Sequence, residues 1–225
     1  MSYHFFPLAW PFLVALFLLV IVVIVAIEIG LLQYAYEKMG VSPRYVFLVL
    51  VLSLLGSYIN IPVWQLPPER VVSNAEVSYF GMRYVIPVVQ HWPGTVIAVN
   101  IGGAVVPAIL SVYLLVKHSL YARAAIGVAI VAVVTHVLAH PVRGVGIAVP
   151  IFIPPLVAVG VAWIFGRKGK APPLAYISGS MGTLIGADLL NLGNIQGLGA
   201  PIASIGGAGT FDGIFLTGIL AVLLA

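Results

Sequence analysis

Apolar positions in this chain come in long unbroken runs, not at alternate places and not as a one-sided stripe. Strict alternation would mark a half-buried strand, and a stripe every 3.6 residues an amphipathic helix. A continuous run of about 20 apolar residues is long enough to cross a bilayer as a helix. Seven runs are predicted as spans: residues 8–34, 46–62, 97–116, 121–140, 146–165, 172–192 and 205–225. Short polar connectors separate them, with one long connector at 63–95. The expectation is an all-α integral membrane protein with about seven transmembrane helices and one external hairpin-like loop. It forms a single transmembrane domain, 1–225, ending in a two-helix unit over 172–225. The runs do not alternate as the strands of a β-barrel would, which favours helices.

The long connector is rich in Pro, Val, Tyr and charge. Its stretch Glu76–Gln90 favours strand, and Phe80-Gly81 supplies a turn, so a small hairpin lying over the bundle is predicted. Pro150, Pro154 and Pro155 fall inside the fifth run. Each removes a backbone donor, so this run is expected to kink or break.

Composition sharpens the class. Hydrophobic residues make up 62% of the chain and charged residues 7%, with a mean hydropathy of +1.16. A soluble domain carries roughly 25% charged residues, so lipid is expected to be the main solvent and partner. There is no cysteine, which excludes disulfides and thiolate chemistry. The net charge of +4 is distributed as topology, not as a nucleic-acid-binding surface. Seven of the ten basic residues (Lys38, Arg44, Lys117, Arg123, Arg167, Lys168, Lys170) fall in the first, third and fifth connectors. The positive-inside rule places those connectors in the cytoplasm. The chain is then a cell-membrane protein with its N-terminus outside and its C-terminus cytoplasmic. The first run is too long for a cleaved signal core of roughly 7–15 residues.

The chemistry concentrates near the C-terminus. Asp188 and Asp212 are the only aspartates, each inside an apolar run, and an uncharged glycine-rich turn joins those runs. An ionisable residue at membrane depth is costly and marks a functional site by default. The helical rise of 1.5 Å per residue puts both carboxylates at comparable depth on consecutive antiparallel spans. Asn60, Asn100, Asn191 and Asn194 map to the same outer level, with His136, His140 and Arg143. Glu28, in the inner part of the first run, is expected to stand apart. One short repeat recurs: Ile101-Gly102-Gly103-Ala104 and Ile205-Gly206-Gly207-Ala208. Duplicated units with a site at their interface are common in transporters.

Four readings of this cluster stand open. Two carboxyls sharing a proton could activate water, with Gly206, Gly207 and Gly209 admitting a peptide backbone closely. His136 and His140, four residues apart, could hold a metal ion with the aspartates. Carboxylates, amides and unwound backbone could bind a cation or relay protons. The aspartates could instead be structural, one of them capping the last helix, with no cofactor at all.

The stretches GADLLNL and SIGGAGTFDGIFLTG, with SYINIP, AVNIGGAVVP and RGVGIAVP, resemble a prokaryotic multi-pass membrane family of unknown function. The layout of Asp188 and Asp212 also resembles the GxGD intramembrane aspartyl proteases. That second resemblance implies a hydrolase of transmembrane peptides with the two aspartates as catalytic pair. The alternatives are a cation- or proton-coupled transporter using the same pair for a small ion, and a structural membrane protein. The run Gly207-Ala208-Gly209-Thr210-Phe211-Asp212 is two residues longer than the protease motif, and Ala187 replaces the tyrosine that presenilins carry.

Overall fold

The fold is that of a computed structural model, which describes residues 10–79, 82–142, 146–166, 169–196, 199–207 and 213–225. Among them are seven α-helices: α1 (Trp10–Lys38), α2 (Pro43–Gly56), α3 (Val106–His118), α4 (Tyr121–Leu138), α5 (Ile153–Phe165), α6 (Ala171–Thr183) and α7 (Gly213–Leu224).

Helix α6 is the central post. Its segment Ala-Pro-Pro-Leu-Ala-Tyr-Ile-Ser-Gly-Ser-Met-Gly-Thr is buried almost throughout, and α3, α4, α5 and α7 pack around it. Small residues permit this, because helices in an apolar medium associate by close backbone approach. A side chain at Gly182 would press on Val131 of α4, and one at Gly218 of α7 would meet the Ser180 hydroxyl and the Tyr176 ring. Pro172 and Pro173 sit in the first turn of α6, where a missing N–H costs nothing. Tyr36, Met39, Leu114, Leu174, Tyr176 and Val222 form the main apolar core.

Several apolar runs are not single helices, and the expectation of about seven membrane-crossing helices is corrected. Among the residues described, two helical segments are long and apolar enough to cross a membrane, Ile101–His118 and Tyr121–Leu138. A third would be the bent pair Glu28–Lys38 and Pro43–Gly56, if its 120° bend were one broken span. The physical reason lies in punctuation that hydropathy does not see. The second run leaves the helix after Gly56 and continues as strand β1 (Asn60–Gln65), which contains Pro62. The third opens as strand β4 (Val96–Asn100) before a single π turn over Ile101–Val105 leads into α3. The fifth is helical only from Ile153, with Pro154 and Pro155 in its first turn and not its middle. The sixth passes from α6 through a π turn (Leu184–Asp188) to a 3₁₀ turn (Leu189–Asn194). The seventh opens as strand β7 (Ile202–Ile205).

These extended pieces pair, so the fold is helix-dominated but not purely α. Strand β4 lies between β1, antiparallel, and β7, parallel. In the long connector β2 (Glu69–Tyr79) and β3 (Met82–Trp92) pair antiparallel, with the expected turn residues 80 and 81 outside the described part. A short ladder joins β5 (His140–Val142) to β6 (Gly146–Ala148).

The end opposite the three-stranded sheet is basic. Lys38 Nζ donates to the Val222 and Leu223 carbonyls at the end of α7, at 3.1 and 3.3 Å. Lys170 donates to the His118 carbonyl at 2.8 Å and Lys117 to that of Gly40. Each lysine thus meets carbonyls at or just beyond a helix C-terminus, where the helix dipole favours positive charge. The π turn and α3 together hold 18 residues, or about 27 Å of rise, close to the roughly 30 Å of a bilayer's hydrocarbon core. Ile109, Val133, Val137, Trp163 and Ile164 are well exposed. Exposed apolar surface on this scale marks an interaction surface and, with the apolar helices, fits membrane association.

Candidate functional site

The polar side chains meet where β1, β4 and β7 interrupt the helices. Asn100, 1% exposed, is the hub. Its Nδ2 donates to the Ser57 carbonyl at 2.7 Å and to Asn60 Oδ1 at 3.1 Å. Its Oδ1 accepts the Gly103 N–H at 2.8 Å, capping the turn that opens α3. One asparagine therefore satisfies a carbonyl left over at the end of α2 and an N–H left over at the start of α3. The Ser204 hydroxyl lies 2.6 Å from both Asn60 Oδ1 and the Gly207 carbonyl. Asp188, at the end of the π turn, accepts the Gly206 N–H at 2.7 Å. It makes further interactions besides.

The segments Ile101–Gly103 and Ile205–Gly207 lie beside each other because their leading strands run parallel, Val99 opposite Ile205. Their glycines make this contact. A Cβ on Gly103 would strike the Gly206 carbonyl, and one on Gly206 would strike the backbone of Gly103 and Ala104. Gly206 and Gly207 also hold φ of +90° and +83°, the left-handed region where side chains are strained. The carboxylate of Asp188 is thus tied, through Gly206, to the backbone that Asn100 caps.

The junction gathers helix ends of both signs. The C-terminus of α2 and the N-terminus of the π turn leading into α3 meet at Asn100. C-terminal carbonyls suit a cation, and N-terminal N–H groups suit an anion or a carboxylate.

Of the residues expected at a site, Asn60, Asn100, Gly206, Gly207 and Asp188 come together here. Asn191 and Asn194 do not join them. Asn191 donates to the Gly186 and Ala187 carbonyls at 2.9 and 3.0 Å, and Asn194 to Asn191 Oδ1 at 3.0 Å. Both side chains therefore close the end of the α6 segment. His136 and His140 are exposed, and among the described residues no group of three or more His, Cys, Asp or Glu could hold a metal ion. Asp212, Gly209 and Arg143 lie outside the described residues, and with Asp212 the pairing of the two aspartates.

Ser57 and Ser204 were missed from sequence. Ser204 had a signal: it precedes the second Ile-Gly-Gly-Ala, as Asn100 precedes the first. Glu28 lines a cavity whose wall also includes Gly102 and Gly103.

A family model described as Protein of unknown function (DUF1614) matches residues 54–224, and the chain belongs to that family. No curated protein and no solved structure matches it. The matched region contains Asn60, Asn100, Asp188 and Ser204 but begins after α1 and most of α2.

Proposed function

We propose that this chain is a membrane-embedded carrier whose polar junction binds a small monovalent cation or proton. Asp188 supplies the charge, and Asn60, Ser204 and the carbonyls of Ser57 and Gly207 supply oxygen. The observation that carries this reading is the convergence of interrupted helices on one hydrogen-bonded cluster (Asn60, Asn100, Ser204), with a carboxylate anchored beside it. Irregular backbone at membrane depth survives where it is buried in protein or lines a watered path. Broken helices of this kind build ion sites in secondary transporters. The basic end, where Lys38, Lys117 and Lys170 gather, faces the cytoplasm in this reading, and membrane lipid is the chain's principal partner.

The hydrolase alternative needs Asp188 and Asp212 in contact and a peptide bond within reach of both. The carrier needs neither. Flux measurement separates them. Purified chain in proteoliposomes is expected to move sodium or protons down an imposed gradient. Asp188→Asn should lower that flux at least tenfold, and Asn60→Ala several-fold. Unchanged flux in Asp188→Asn, with peptide cleavage lost in the same variant, would favour the hydrolase and overturn the carrier.

A further inference from the structure

A cavity of about 320 Å³ opens between α1 and α2 and ends at Gly102 and Gly103. That volume is at the lower end of small-molecule sites, roughly 300–1,000 Å³. Phe47 from α2 and Phe215 from α7 contribute aromatic wall. Among the described residues that line it, Glu28 is the only ionisable one, and no lysine, arginine or histidine faces it. The Glu28 carboxyl makes no hydrogen bond or ion pair with any described residue. Ser53, 5% exposed, also sits in the wall.

We propose that this cavity binds a small hydrophobic amine, its ammonium on Glu28 and its apolar body between Phe47 and Phe215. Charge complementarity decides among occupants. Glu28 places a single negative charge on an otherwise apolar wall, and that charge attracts an ammonium. An anionic amphiphile would meet that carboxylate directly. An uncharged chain would fill the walls and leave it unpaired. Phenyl faces add a second attraction for a cation within about 6 Å of a ring centroid. A few well-placed polar groups in an apolar pocket are the usual way such sites fix orientation. The site does not depend on the carrier reading, because binding in detergent needs no transport.

Equilibrium dialysis of the purified full chain against radiolabelled 1-aminoadamantane tests it. Adamantane-1-carboxylate and 1-adamantanol, which share the same apolar body, serve as competitors. The amine should bind saturably, with the carboxylate not competing and the alcohol competing at least tenfold more weakly. Glu28→Gln, on an exposed stretch of α1, should weaken the amine at least tenfold. Val51→Trp, which fills the cavity from the α2 wall, should remove binding with Glu28 in place. Partition into detergent is common to all variants and cancels between them. Equal binding of amine and carboxylate would overturn the proposal, as would wild-type affinity in both variants.

Discussion

At the scale of single residues, glycine sorts into two populations. Gly103 and Gly206 are held where any side chain would enter a neighbouring backbone, so the close packing of the two strand ends depends on them. Gly160, inside α5, has nothing within 4 Å of where a Cβ would sit. Gly206→Ala should therefore lower stability by about 2–4 kcal/mol, at the upper end of single substitutions, and cut the yield of monodisperse protein. Gly160→Ala should raise stability slightly, by about 0.5–1 kcal/mol, because alanine favours helix. Thermal unfolding of the two variants beside the parent checks the contrast, and equal effects would contradict it. The same scale limits what could be read in advance. Asn60, Asn100 and Asp188 were legible as unusual polar residues in apolar runs. Their partners were not. Whether Asn100 faces Ser57 or Asn191 depends on which way a broken helix turns, and no residue type encodes that. Asn191 carries the same amide as Asn100, yet its Nδ2 donates to carbonyls of its own segment.

At the scale of elements, hydropathy locates apolar mass and says little about its form. Ile202–Ile205 and Val96–Asn100 are as apolar as helix, but they pair as strands. β-Branched valine and isoleucine suit strands, and the following glycines release the chain from the ladder. The prolines were legible as punctuation, and the fifth run does break: β6 ends at Ala148, and Pro154 and Pro155 lie in the first turn of α5. The lysines do element-level work that charge counting alone could not assign. Lys38 closes the end of α7, 184 residues away in sequence. Lys38→Met keeps the apolar stem and removes both bonds to α7. It should cost about 1–2 kcal/mol, within the range for hydrogen bonds to charged groups and helix-end charges. Hydrogen exchange should show the loss first as faster exchange in the last turn of α7. Uniform acceleration across all helices would mean that Lys38 acts through something other than this cap.

At the scale of the whole molecule, two polar ends stand at opposite ends of an apolar body, with α3 running between them. The basic connectors recognised in the sequence do gather at one end, through Lys38, Lys117, Lys170 and His118. The orientation is testable cleanly because the chain has no cysteine. In sealed vesicles, a membrane-impermeant maleimide should label Glu37→Cys only from the cytoplasmic side and Gln65→Cys only from the other. Both positions are exposed. Labelling of both from one side would remove the transmembrane arrangement. The polar junction itself is tested most directly by cation binding. Purified chain should unfold at a higher temperature in sodium or another small cation than in choline at equal ionic strength, since a ligand specific to the folded state stabilises it by mass action. Asp188→Asn should abolish that difference while remaining folded. A thermal shift of the same size in Asp188→Asn, or none for any small cation or proton concentration in the parent, would contradict an ion site at this junction.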